Sequence, residues 1–204
     1  MPLLLSSAYL PPISFFTAML ESGGEVFIEQ FDSYHKQTFR NRALIATSNG
    51  VQSLTIPVVK SEGGKMLMKD VRISDHGEWR HLHWNALETA YMNSPFFIYY
   101  QDDLRPFYEK RYEFLLDFNM ELTQTIADLI GMKCSFKRTD EFVAEPVEVT
   151  DMRAAIKGAT IPVPEIKPYY QVFAKKNGFL KDLSIVDLLF NMGPESILAL
   201  KDRL

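Results

Sequence analysis

Leu3, Leu4 and Leu5 form an unbroken apolar run that gives way to Ser6-Ser7-Ala8 and then to the rigid corner Tyr9-Leu10-Pro11-Pro12. A short apolar run bounded by turn residues predicts an interior strand. Ile13 to Leu20 then predicts a helix closed by Gly23-Gly24. Glu25-Val26-Phe27-Ile28-Glu29 is rich enough in β-branched and aromatic residues to predict a second strand. A strand-helix-strand unit normally crosses over right-handed to make its strands parallel neighbours, and such sheets collect ligands at the carboxyl ends of their strands. Tyr9 and Gln30 fall at two such ends.

Farther along, Ala43-Leu44-Ile45-Ala46 and Leu54-Thr55-Ile56-Pro57-Val58 flank Asn49-Gly50, a dipeptide suited to the positive φ angles of a type I′ turn, so this region predicts a β-hairpin. Lys60 to Lys65 is a polar, glycine-containing loop whose tip is expected over the site, and Met66 to Ser74 alternates as another strand would. From Glu78 the period changes: Trp79, His83, Leu87 and Tyr91 recur every four residues, predicting a helix that Pro95 ends. A second helical region runs through Phe97, Tyr100, Leu104, Tyr108, Leu115 and Leu116. A third spans Phe118 to Ile130 and stops at Gly131. Cys134 to Lys137 reads as a last strand, residues 139–168 as an acidic, proline-rich excursion, and Ser184 to Asn191 and Pro194 to Leu204 as closing helices. The class is α/β: a mixed sheet with a strand-helix-strand opening, then a β-hairpin, then a helical C-terminal half.

With 204 residues, 47% of them apolar, one domain over 1–204 with a substantial core is expected. A net charge of −4 gives no overall basic field to attract nucleic acid or a membrane surface, so an anion site has to be local. Cys134 is the single cysteine, which excludes an internal disulfide and suits a reducing cytosol. Met1 to Leu20 carries no charge. It lacks the positive start of a signal peptide, and Pro11-Pro12 would break a spanning helix, so the expected location is the cytoplasm.

The densest chemistry lies in Tyr34-His35-Lys36-Gln37-Thr38-Phe39-Arg40-Asn41-Arg42. On an extended segment Arg40 and Arg42 project to one side, where two guanidinium forks would grip phosphate or carboxylate oxygens while Tyr34 or Phe39 stacks on a ring. The same block also reads as a sheet edge protected by charge, or as a stacking platform for a single-stranded nucleic acid, which the net acidity opposes. His83 reads as a core histidine or as a general acid or base. His81 and His83 point about 200° apart on a helix and share no metal, so no metal site is expected. Ser184 with Asp187 matches a helix cap, although the carboxylate could serve chemistry. Trp79, Trp84, Tyr91, Phe96 and Phe97 offer a noncatalytic rival, an apolar partner surface. No G-x-S-x-G, P-loop or G-x-G-x-x-G is present.

Tyr9-Leu10-Pro11-Pro12 with Phe15-Phe16, Tyr34 through Arg42, Ile56-Pro57-Val58, His83-Trp84 with Tyr91, and Leu183 through Asn191 together resemble the WbqC family of bacterial proteins, in its Bacteroidetes flavour. The likeness spans nearly the whole chain. It departs at Ser7-Ala8, where the family often carries Gln-Pro. The resemblance implies cytoplasmic sugar nucleotide metabolism linked to surface polysaccharide, with a transferase acting on an activated sugar. An anionic small molecule is then the expected partner, a homo-oligomer is compatible, and the cofactor stays unassigned. The candidate binding residues are Tyr9, Gln30, Tyr34, Lys36, Phe39, Arg40, Asn41, Arg42, Trp84 and Tyr91. The candidate proton carriers are His35, His83 and Asp187.

Overall fold

The computed structural model describes residues 1–60, 63–154 and 166–201. Strand β1 (Leu3–Leu5), helix α1 (Ile13–Glu21) and strand β2 (Glu25–Ile28) are followed by the hairpin strands β3 (Arg42–Thr47) and β4 (Gly50–Thr55). Helices α2 (Trp79–Tyr91), α3 (Phe97–Leu104), α4 (Pro106–Glu109) and α5 (Leu115–Ile130) come next. Then follow β5 (Ser135–Arg138), β6 (Thr150–Asp151) and helices α6 (Ala174–Asn177), α7 (Ile185–Met192) and α8 (Ser196–Lys201). The α/β class is as expected. The four-stranded sheet has the order β5-β2-β1-β6 and is parallel at every pairing, and the antiparallel component is the separate β3-β4 hairpin.

β1 pairs on both edges, and its three leucines are buried, as an unbroken apolar run in a parallel sheet requires. α1 is buried from Ile13 through Met19. The carboxylate of Asp182 closes its first turn from a distance, accepting from the Ser14 amide and hydroxyl at 2.8 Å each. Gly24, at φ +83°, lies where β2 and β5 begin, and a Cβ there would meet the Lys133 carbonyl oxygen at 2.1 Å. α5 lays Leu115, Phe118, Leu122 and Ile126 into the core and ends on Gly131 in the left-handed region. No helix among the described residues is long and apolar enough to cross a membrane.

Several local expectations need correction. The hairpin register pairs Thr47 with Gly50, so Ser48 and Asn49 are the central turn residues. Positive φ falls on Gly50 alone, at +99°, so neither central residue has the left-handed backbone that a type I′ turn requires. Met66 to Ser74 is not a strand: a 3-10 turn occupies Met68–Asp70, and only isolated bridges join Leu67, Arg72 and Ile73 to neighbours. The backbone follows the Gln30–Tyr34 segment there, with Tyr34, Met68 and Lys69 amides bonded across, so pairing to a loop overrides the alternation. Leu115 and Leu116 begin α5, since Pro106 and the break after Glu109 divide the second helical region. β6 lies inside the acidic excursion, where its two residues carry too little pattern to be read. Expectations on 61–62, 155–165 and 202–204 lie outside the described residues.

Candidate functional site

Because the sheet is parallel, its four carboxyl ends meet along one edge. Ser6 follows β1, Glu29 and Gln30 follow β2, Thr139 follows β5, and Arg153 lies just past β6. The edge is internally paired. Buried Glu29 accepts from the Phe31 amide at 2.9 Å, the Thr139 hydroxyl at 3.0 Å and the Val143 amide at 2.9 Å, with Arg153 Nη1 3.6 Å away. Arg153 also forks onto Asp151, and Gln30 Nε2 donates to the Thr139 carbonyl at 2.6 Å. Arg40 joins this edge. Its Nη2 donates to the Asp32 carboxylate and, at 3.1 Å, to Ser6 Oγ, while Nε and Nη1 have no partner.

That placement corrects the expectation of two arginines facing one hollow. Residues 38–40 form a turn, so strand alternation does not apply, and Arg40 is 0% exposed against an internal acid. Burial pulls its pKa down and the neighbouring Asp32 charge pulls it back up. Arg42 begins β3 and turns elsewhere, donating from Nε to Thr55 Oγ1 at 3.2 Å.

Arg42 lines a groove of about 490 Å³ together with Tyr34, Lys36, Asn41, Lys60 and the stretch Ile56-Pro57-Val58-Val59. The segment after β2 and the exit of β4 are clamped into its two walls. The Tyr34 amide donates to the Met66 carbonyl at 2.8 Å, the Ile56 amide donates to the Asn41 carbonyl at 2.8 Å, and Asn41 Nδ2 returns a bond to the Ile56 carbonyl at 2.9 Å. Lys36, Arg42 and Lys60 supply three positive charges, and the described lining residues include no carboxylate. No ion pair among the described residues engages these three. Two buried polar atoms on the lining residues lack partners, Tyr34 Oη and Asn41 Oδ1. Burial pushes the Tyr34 hydroxyl up to about 12, against the opposing pull of the Arg40 charge, so at neutral pH it carries its proton.

The remaining candidates go elsewhere. Tyr9 is buried, its hydroxyl 2.9 Å from His83 Nδ1 and 3.0 Å from the Tyr108 hydroxyl. Burial lowers the His83 pKa to about 4, against a smaller upward pull from the Thr55 backbone, so the ring is neutral. Asp187 is fully buried and accepts from Tyr91 at 2.9 Å, from Gln171 at 2.9 Å and from Tyr169. Burial raises its pKa against those three bonds. Ser184 caps α7 as expected, accepting from the Val186 amide. Trp84 packs on Phe97 and Tyr108, and half-buried Phe39 accepts from the Tyr9 amide through its carbonyl. His35 is exposed beside the groove's lining residues without being one of them. Trp79, Trp84, Tyr91 and Phe97 belong to the core and present no apolar partner surface; Phe96 alone of the five is half-buried, against Tyr99.

Sequence reading missed Lys60 as a groove cation, although it lies two residues past the Ile56-Pro57-Val58 run. It also missed Asp32 as the partner of Arg40, eight residues upstream in a different turn.

Comparison with known proteins now gives this α/β chain its family. It belongs to the WbqC-like protein family, whose model matches residues 6–161 and so includes the sheet edge and the groove. A relative is the uncharacterized protein Rv1507c of Mycobacterium tuberculosis, 27% identical over 222 aligned positions that cover 95% of this chain and 94% of the relative. No solved structure matches the chain.

Proposed function

We propose that the groove binds a phosphorylated sugar metabolite such as a sugar nucleotide, and that the protein is a small cytoplasmic transferase acting on that substrate in the assembly of surface polysaccharide. One observation carries the reading. Lys36, Arg42 and Lys60 border a concave, partly apolar space whose described lining holds no carboxylate, in a chain that is acidic overall. Diphosphate oxygens suit the three cations, and the apolar strip from Ile56 to Val59 suits the face of a ring. The groove is also of a size common for small-molecule sites.

The family resemblance supplies the polysaccharide setting. Transfer to a sugar hydroxyl or amine needs a proton acceptor. We assign that role to His35, exposed between two lining residues, because His83 and Asp187 are tied into closed internal networks. The test is a thermal-shift screen with UDP-glucose, glucose 1-phosphate and inorganic phosphate on the wild type and on an Arg42→Ala, Lys60→Ala double variant. A ligand at one hundred times its dissociation constant adds about 2.7 kcal/mol, and that stabilisation is expected to vanish in the double variant. Equal shifts in both proteins would refute the reading.

A further inference from the structure

We infer that the outer edge of the β3-β4 hairpin pairs with the same edge of a second copy of this chain, β4 antiparallel to β4, with Val51 opposite the partner's Ser53. The hairpin's own bonds fix which way each backbone group points. On β3 the Leu44 carbonyl accepts from the Ser184 amide at 2.8 Å and the Ala46 amide donates to the Tyr91 hydroxyl at 3.3 Å, so both residues face away from β4. Their opposite numbers on β4, Ser53 and Val51, therefore face away from β3. Among the described residues nothing bonds the amide or carbonyl of either. Val51, Gln52 and Ser53 are all exposed, Val51 to 52%. The hairpin thus ends in an open, unpaired edge.

Charge decides what fits there. Sheets guard open edges with charged side chains or with very short strands. β5 carries Lys137 and Arg138, and β6 is two residues long with Asp151 as one of them. β4 runs for six residues without a charge or a proline. Set against itself, β5 would oppose like charges, whereas β4 can face its own copy without repulsion. The contact closes as a two-fold dimer, since Ser184 and Tyr91 already cover the other side of the hairpin. Register follows from which groups are free. Centring the pair on Val51 would set Ser53 against the partner's Asn49, whose amide already donates to Thr47 Oγ1 at 3.2 Å. Centring it on Ser53 would set Val51 against the partner's Thr55, whose backbone already acts on His83. Centring it on Gln52 engages only the free groups of Val51 and Ser53. Continued along the strand, that register brings the partner's Asn49 beside Thr55, which lines the cationic groove. On the reading of that groove as the ligand site, each copy then supplies a turn to the rim of the other's site.

The test is sedimentation velocity of the full chain without ligand, from low micromolar to several hundred micromolar, because so small a contact is weak. The wild type is expected to move from monomer toward twice the monomer mass. Val51→Lys places like charges diagonally across the two-fold axis on a side chain that is already exposed, and is expected to stay monomeric. Ser53→Pro removes an outward amide and is expected to do the same. In a Cys134→Ser background, Gln52→Cys is expected to yield a disulfide-linked dimer on mild oxidation. Residues opposed as a non-hydrogen-bonded pair lie about 4.5 Å apart at Cα, within reach of that bond. A wild type that stays monomeric throughout overturns the inference, and so does a dimer that survives Val51→Lys. If Ser53→Pro fails to fold, Val51→Lys decides alone. A dimer that position 52 does not cross-link overturns the register and the shared rim with it. No ligand enters these measurements, so the groove reading can fail while the dimer stands.

Discussion

Arg40 and Arg42 stand two residues apart and meet opposite fates. Arg40 is sealed behind the sheet edge with Asp32 and Ser6, whereas Arg42 lines an open groove with, among the described residues, only a threonine hydroxyl on its guanidinium. The same contrast separates the interior networks from the groove. Tyr9-His83-Tyr108 and Asp187-Tyr91-Tyr169-Gln171 each meet their own hydrogen-bonding needs inside the protein. The groove's described lining holds three cations and no acid. Closed polar networks hold a fold together; unneutralised charges on a concave surface are what a ligand can complete.

The sharpest way to break the comparison is to remove Arg40. Arg40→Ala leaves Asp32, only 24% exposed, with the neutral Ser6 hydroxyl and Ser33 amide in place of its cation, and breaking a buried pair from one side costs about 3 kcal/mol or more. Urea denaturation should show a loss of that size. A loss below about 1 kcal/mol would place Arg40 with the surface charges.

His83 tests the interior networks through pH. Its folded pKa is depressed to about 4 from an ordinary 6.5, so above pH 6.5 the ring is neutral in both folded and unfolded chains and nothing is lost. Between 6.5 and 4 the unfolded chain takes up the proton and the folded one does not. Stability therefore falls with pH, by roughly 3 kcal/mol at 1.36 kcal/mol per unit. Below 4 the penalty stays constant. Denaturation curves at pH 7, 5.5 and 4 should show this slope, and His83→Phe, although less stable at pH 7, should flatten it.

Much of the fold was legible because the informative segments were long or strongly punctuated. Leu3–Leu5, the four-residue recurrence in α2, and Gly131 after α5 each encode their element locally. β6 was not legible, since two residues paired beside β1 leave no period to detect. In the site, the block from Tyr34 to Arg42 pointed to the groove, and Tyr34, Lys36, Asn41 and Arg42 all line it. What could not be read was that the block contains a turn, which sends Arg40 inward, and that its partner Asp32 comes from the preceding turn. Tyr9, His83, Tyr91 and Asp187 attracted attention as functional groups because a buried hydrogen-bonded residue and a catalytic one have the same sequence appearance.

The smallest expected effect on stability belongs to Arg42→Ala. The side chain is partly exposed and gives up one hydrogen bond, so the change should lie within about 0.5 kcal/mol, while affinity for a phosphorylated ligand falls. A large loss of stability there would make Arg42 a second Arg40 and erase the contrast.

The most direct measurement of the groove's role is a two-dimensional amide NMR titration of the wild-type protein with UDP-glucose. The expected result is a cluster of shifted amides at Tyr34, Lys36, Asn41, Arg42 and Ile56 to Lys60 (Pro57 has no amide to report), with Asp187 and its partners unmoved. Shifts centred instead on the mixed-charge depression of Asp75, Arg80, Arg105 and Arg111, or no shifts at saturating ligand, would contradict the account.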